Sequence, residues 1–156
     1  MTLANIILCG LLAVTSVQAA EEPRWTPEQQ EIIDVASRGP FALNDDFDAW
    51  AEGYHPDWSY WRLGAETIRP RDEHMQAVAD YMATGVRIVG FEFTPIDVVV
   101  RGDTALLRYN AIESIENPDG TRRDVHFSAA GFYAREEGEW KVLASNLYYV
   151  PDGEAE

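Results

Sequence analysis

Few side chains in this sequence suit proton transfer at neutral pH, and histidine comes first because its ordinary pKa is about 6.5. His126 shares one face of a predicted strand with Ser128, because side chains two residues apart point the same way. If that face lines a cavity, His126 is the best candidate for a general base; otherwise it is a hydrogen-bonded histidine at a strand or dimer interface. A metal site would need His55, His74 and His126 to converge without a thiolate, so we expect no metal and no cofactor.

Aromatic residues are densest between residues 50 and 61, where they form either a pocket wall or an ordinary core between a helix and a sheet. Aromatic rings supply most of the wall area of ligand pockets, and Tyr and Trp also keep a polar tip for a ligand. We therefore predict a ligand-binding set that extends from this group into the later strands: Trp50, Tyr54, Trp58, Tyr60, Trp61, Met75, Tyr109, Ser128, Asn146 and Tyr148.

The last predicted strand has alternate residues that we expect to face the pocket, which are Trp140, Val142, Ala144, Asn146 and Tyr148. An asparagine there orients a ligand carbonyl but does not exchange protons at neutral pH. Most carboxylates of the strand region are predicted to lie at strand ends or in turns, namely Asp97, Asp103, Glu113 and Asp124. Glu92, between two phenylalanines, is the one carboxylate expected to have apolar neighbours.

The composition excludes some classes of function. The chain has 156 residues, enough for one domain, and 46% of them are hydrophobic, which is too many for an acidic disordered tail. Its 12 Lys and Arg against 27 Asp and Glu give 12 − 27 = −15. Phosphate contacts need clustered cations, so we expect no nucleic-acid partner.

The first residues resemble an export signal. Residues 3–17 carry no Asp, Glu, Lys or Arg, and small residues at Val17 and Ala19 fit cleavage after Ala19. The apolar run is too short for a stable membrane span, although a retained anchor or a buried helix are alternatives. We predict a signal peptide at 1–19, a domain at 20–150, a flexible tail at 151–156, and a periplasmic or extracellular location. The only cysteine, Cys9, would leave with the signal.

The periodicity of the remaining chain predicts helices followed by strands, which is an α+β arrangement. The first helix is expected from Thr26-Pro27 to Gly39-Pro40, the second from Asn44 to a stop at His55-Pro56-Asp57, and the third from about Pro70 to Gly85. From Val86 onward apolar residues alternate, with turns at Gly102-Asp103, Asn117-Pro118-Asp119-Gly120 and Glu137-Gly138. This pattern predicts an antiparallel meander.

Four stretches in this order resemble the SnoaL-like branch of the nuclear-transport-factor-2-like superfamily, and within it an exported domain family of unknown function. They are His55-Pro56-Asp57-Trp58-Ser59, Phe91-Glu92-Phe93-Thr94-Pro95, Gly102-Asp103-Thr104-Ala105 and Gly138-Glu139-Trp140-Lys141-Val142-Leu143-Ala144. The resemblance implies a cone-shaped fold with three N-terminal helices on a curved antiparallel sheet. It also implies an apolar pocket, frequent dimerisation through the open sheet face and, in some members, an acid/base pair.

The chain departs from that family at its polar positions. Many members carry Asp or Arg on the long strand where this chain has Gly131 and Ser128, and relatives often have His in place of Asn146. We therefore predict an exported homodimer with an aromatic-lined pocket for a small apolar or aromatic molecule. Two alternatives stay open: a cofactor-free lyase or isomerase with His126 as general base, and a dimeric module that binds another envelope protein.

Overall fold

The computed structural model describes residues 24–151, so the predicted signal peptide and all of the predicted tail except Pro151 lie outside the described residues. Within this range the helices are Pro27–Asp45 (α1), Phe47–Glu52 (α2) and Arg71–Ala83 (α3). The strands are Tyr54–Arg62 (β1), Arg69–Pro70 (β2), Arg87–Arg101 (β3), Thr104–Glu116 (β4), Arg122–Glu136 (β5) and Glu139–Tyr149 (β6). The predicted α+β class and the predicted three helices are therefore found.

The strands form one sheet in the order β2-β1-β6-β5-β4-β3. Strands β3 to β6 are a continuous antiparallel meander, as predicted. The expectation of an entirely antiparallel sheet is wrong, because β1 lies parallel to β6. A parallel pair needs a long crossover rather than a tight turn, and here α3 and four strands separate its two members in the chain.

Helix α1 continues past Gly39-Pro40, where the sequence predicted its end. A proline inside a helix removes one backbone hydrogen bond and costs about 3 kcal/mol. Contacts with the edge strand β3 offset that cost. The Asn44 side chain donates to the carbonyl of Ile88 at 2.7 Å and accepts from its N–H at 2.9 Å. At the other end of α1, Gln29 donates to the carbonyl of Val98 at 2.7 Å.

The second helix begins later and ends earlier than predicted. Asp46 caps α2 by accepting a hydrogen bond from the N–H of Ala49 at 2.9 Å. The predicted stop at His55-Pro56-Asp57 belongs instead to β1, because α2 already ends at Glu52, with Gly53 as its C-cap. The third helix ends before Gly85, whose φ of 88° is the left-handed conformation expected just after a helix.

The helices pack on one face of the sheet and divide the core into clusters. Ile32 of α1 and Leu107 of β4 are fully buried in the largest cluster, which also includes Trp140 of β6. Trp58 of β1 and Met75 of α3 form a second cluster with α2. None of the described helices is long and apolar enough to cross a membrane.

We predict that Asn44→Ala lowers the free energy of unfolding by about 1–3 kcal/mol, because it leaves the N–H and carbonyl of Ile88 without their side-chain partner. Gln30→Ala on the same helix is the control, since exposed Gln30 bonds only to Asp34 one turn away. Urea titration of both variants measures the difference. Equal stabilities would show that α1 is not held to β3 through Asn44.

Candidate functional site

A cavity of about 490 Å³ lies between the helices and the inner face of the sheet. Helix α1 covers one side, α2 and β1 form a second side, and the middle strands form the floor. The volume is in the range of cavities that hold small organic molecules, and most of the lining is apolar.

The wall on the side of α2 and β1 is a chain of aromatic rings. The ring centroids of Trp50 and Tyr54 are 4.7 Å apart, and those of Tyr54 and Trp58 are 4.5 Å apart. Tyr60 follows at the outer end and stacks on His74 of α3. The indole N–H of Trp58 donates to the Ser145 hydroxyl at 3.1 Å, so the most buried ring of this wall has its polar atom satisfied.

The facing wall comes from the meander. Phe91, Tyr109 and Phe127 lie on neighbouring strands, and the centroids of Tyr109 and Phe127 are 6.2 Å apart. Next to them Gly131 leaves room for the ring of Tyr133, two residues further along β5 on the same face. A Cβ at Gly131 would come within 2.9 Å of that ring, which is why this strand has no larger side chain here.

The predicted binding set divides in two in the structure. Trp50, Tyr54, Trp58, Tyr60 and Tyr109 line the cavity, so the aromatic group between residues 50 and 61 forms wall and core together. Met75 is buried behind the Trp58 ring and does not line the cavity. Trp61 also lies outside the lining, where its indole N–H donates to the carbonyl of Ala65. The binding roles of these residues stay predictions.

The face of β5 that carries His126, whose direction the sequence left open, is not the face that lines the cavity. The β5 residues in the lining are Phe127, Ala129, Ala130, Gly131 and Tyr133. All but Ala130 lie at alternate positions, and His126 and Ser128 are not in the lining, so these two point to the outer face. Ser128 donates there to the side-chain oxygen of Asn110 at 2.8 Å. A general base must reach the ligand, and His126 lies on the wrong face of the sheet for a ligand in this cavity.

The expected face of β6 is right for its first half only. Val142 lines the cavity, but beyond it the lining residues are Ser145 and Leu147 rather than Asn146 and Tyr148. The cause is a β-bulge: residues 132 and 133 of β5 pair with residues 144 and 142, which leaves Leu143 unpaired. One extra residue moves every later side chain to the other face.

Glu113 is the acidic residue that the sequence interpretation missed. It lines the cavity from β4, on the same face as Tyr109 and Ala111. Burial raises the pKa of its carboxyl, and the positive charge of Arg123 opposes that rise. A signal was available, because Glu113 interrupts a run of alternate apolar residues that resumes at Ile115. Glu92, the carboxylate that the sequence favoured, is exposed.

Two tyrosines in the cavity stay protonated over the whole physiological range. Burial raises the pKa of Tyr109 to about 12, with a further contribution from the negative charge of Glu113. Burial also raises the pKa of Tyr54, assisted by the charges of Tyr109 and Glu113. Both phenols are therefore neutral hydrogen-bond groups facing a carboxyl with a raised pKa.

His74 of α3 is the histidine that lines the cavity. Burial and then the charge of Arg69 lower the pKa of its imidazole to about 4. The Arg69 guanidinium lies 3.3 Å from Nδ1 of His74 and has only donors, so Nδ1 accepts and the ring proton is on Nε2. At neutral pH His74 is therefore an uncharged donor. Among residues 24–151, no group of three or more His, Cys, Asp or Glu is arranged to hold a metal ion.

Comparison with known proteins agrees with this architecture. The chain belongs to the SnoaL-like domain family, whose model matches residues 41–143. No curated protein matches the sequence.

Several solved structures share the fold at low identity. A conserved protein from Planctomyces limnophilus aligns with a TM-score of 0.68 and 18% identity over 80% of this chain and 97% of its own. A ketosteroid isomerase-like protein from Erwinia carotovora gives 0.65 and 17% over 81% and 99%. An NTF2-like protein with a cystatin-like fold from Novosphingobium aromaticivorans gives 0.62 and 22% over 82% and 85%. The fold is thus the NTF2-like fold, with an open, curved sheet of mixed strand direction.

We predict that acid destabilises the protein partly through His74. In the unfolded chain the His74 imidazole takes up a proton near pH 6.5, whereas in the folded protein it does so only near pH 4. The free energy of unfolding is therefore highest above pH 6.5 and falls as the pH drops towards 4. His74→Phe keeps a ring on Tyr60 and removes the titration. Between pH 7 and 4.5 the wild type should lose about 1–2 kcal/mol more than the variant, a discounted value because water partly reaches the imidazole. Parallel losses in urea titrations at both pH values would contradict the assignment.

Proposed function

We propose that this protein binds a small apolar or aromatic molecule in the cavity. The observation that carries the proposal is a space of about 490 Å³ with aromatic walls on two sides. Flat rings in such a space offer contact area to a flat or alicyclic ligand, and the few polar groups fix its orientation. Those groups include the Glu113 carboxyl, the His74 imidazole, the tyrosine hydroxyls, the Ser145 hydroxyl and the Arg38 guanidinium.

We also propose that the protein acts outside the cytoplasm. Support comes from the charge-free apolar stretch at residues 3–17 and the small residues before Ala20. N-terminal sequencing of the protein from the envelope or medium fraction tests this proposal. A mature chain that begins at Ala20 agrees with it, and an intact Met1 contradicts it.

A homodimer formed through the outer face of the sheet is the assembly we propose. That face exposes apolar and aromatic side chains on three strands, Val99, Phe132 and Tyr148, and also carries His126. Exposed apolar patches on a sheet are typical of protein contact sites. Sedimentation equilibrium measures the assembly state, and a monomer at micromolar concentration would rule out this dimer and the envelope-module alternative built on it.

A second candidate function is acid–base catalysis without a cofactor, with Glu113 in the role that the sequence gave to His126. A carboxyl with a raised pKa can accept a proton from a bound ligand and return it at another atom, as an isomerase requires. The neutral phenol of Tyr109 and the Nε2–H of His74 are the donors available to a developing oxyanion. The position of Glu113 in the aromatic cavity favours this candidate.

We predict that the cavity binds N-phenyl-1-naphthylamine, an uncharged aromatic dye whose fluorescence rises in apolar surroundings. Ala129→Phe places a ring in the floor of the cavity and should weaken binding at least about ten-fold, because the dye and the new ring occupy the same space. Fluorescence titration measures the affinity, and thermal melting checks that the variant folds.

Ser59→Phe on β1 is the matched control, since Ser59 is not part of the cavity lining. If Ala129→Phe does not fold, Leu147→Trp replaces it at the same cavity. A dye that does not bind the wild type, or that binds all variants equally, would contradict the proposed binding function.

We predict that Glu113→Gln removes a pH-dependent loss of stability. Because the pKa of Glu113 is raised in the folded protein, the protonated carboxyl contributes to stability at low pH. That contribution is lost as the pH rises through the pKa of the folded protein. The variant should therefore gain stability relative to wild type between pH 4.5 and 8. Urea titrations at several pH values measure this difference. The exposed Glu92→Gln is the control, and a constant offset for Glu113→Gln would remove the basis for its acid–base role.

A further inference from the structure

A second cavity of about 500 Å³ lies beside the first, between β1, β2 and α3. We call it the outer chamber and define it by Tyr60, Arg62, Arg69, Glu73, His74 and Tyr81. Tyr60 and His74 also line the main cavity, and they are the residues that the two linings share. The two spaces therefore adjoin each other at this pair of rings, which we call the dividing wall.

The dividing wall is built from uncharged polar rings. Tyr60 and His74 stack with their centroids 4.0 Å apart and an interplanar angle of 18°. The hydroxyl of Tyr60 is 3.3 Å from that of Tyr149, which also lines the outer chamber. A molecule whose body lies in the main cavity meets hydrogen-bonding groups at this wall and cationic groups just beyond it.

The outer chamber is cationic in a chain whose net charge is −15. Arg62 and Arg69 both line it, against the single carboxylate of Glu73. Within the described residues the Arg62 guanidinium makes no ion pair or side-chain hydrogen bond, unlike Arg108, which binds Asp97 at 2.6 Å. An arginine left without an anion at a cavity wall is a ready partner for the acid group of a ligand.

Arg69 is also available to a ligand. Its Nε is 3.3 Å from the Glu73 carboxylate, and the two side chains are 42% and 67% exposed. An exposed ion pair of this kind contributes at most about 1 kcal/mol, so an incoming acid group can replace Glu73 at little cost. The remaining contact of Arg69, to Nδ1 of His74, holds the guanidinium against the dividing wall.

We propose that the ligand is an organic acid, with an apolar ring system in the main cavity and one anionic group in the outer chamber between Arg62 and Arg69. This inference rests on the proposed binding function, because it requires the ring system to occupy the main cavity. It adds the chemical class of the ligand, which the aromatic walls alone leave open. The anionic group would form charge-assisted hydrogen bonds with the two guanidinium groups.

A pair of dyes with one ring system tests the inference. N-phenyl-1-naphthylamine is uncharged, and 8-anilinonaphthalene-1-sulfonate is the same molecule with a sulfonate added. We expect Arg62→Gln to weaken binding of the sulfonate dye about ten-fold, the effect of losing one charged hydrogen bond, and to change the uncharged dye less than two-fold. Arg62→Lys keeps the charge and should weaken the sulfonate dye less than Arg62→Gln does.

Arg101→Gln is the matched control, because it removes the same charge at the end of β3 and Arg101 lines neither cavity. If both dyes bind and Arg62→Gln behaves like Arg101→Gln, the outer chamber does not hold the anion and only this inference fails. If the uncharged dye binds and the sulfonate dye does not, again only this inference fails. If neither dye binds, the proposed binding function fails and the inference fails with it.

Discussion

The packing of α1 across the inner face of the sheet is the constraint on which the site depends. Ile32 and Leu107 are fully buried where helix and strand meet, and this contact determines which face of β4 is shielded from water. Every second residue of that strand then points the same way, so the position of Leu107 also determines the positions of Tyr109 and Glu113. Burial of apolar surface thus brings a carboxyl into an aromatic cavity, and the same burial raises the pKa of that carboxyl.

The charge state of each group at the site depends on how deeply that group is buried. The inner cavity holds groups that burial keeps uncharged near neutral pH, among them the phenol of Tyr109 and the imidazole of His74. The charged guanidinium groups of Arg62 and Arg69 remain on the outer side of the Tyr60–His74 wall. For the organic acid proposed above, such a gradient favours an orientation with the charged group at the outer end, because a charge is costly in the inner part and well solvated outside it.

Regular features of the fold could be predicted from the sequence, and local irregularities could not. The capping residues at Thr26 and the alternation from Val86 onward led to the α+β class and the meander. The extra residue at Leu143 has no sequence signature, yet it moves Asn146 and Tyr148 to the outer face. The sequence left the direction of His126 open for a related reason: alternation shows which residues share a face but not which face is covered by helices. The density of aromatic residues in the sequence indicates the aromatic wall of β1. It does not indicate the outer chamber, because the residues that define this chamber come from three separate elements, β1, β2 and α3.

The parallel pairing of β1 with β6 also has a consequence for the order in which the molecule is made. These strands lie at Tyr54–Arg62 and Glu139–Tyr149, so contacts across the middle of the sheet join residues more than half the domain apart in sequence. Long-range pairings of this kind slow folding, because a large loop must close before they form. During synthesis the aromatic residues of β1 leave the ribosome early, but β6, the strand beside which β1 lies, is synthesised last. The cavity is therefore one of the last parts of the molecule to form.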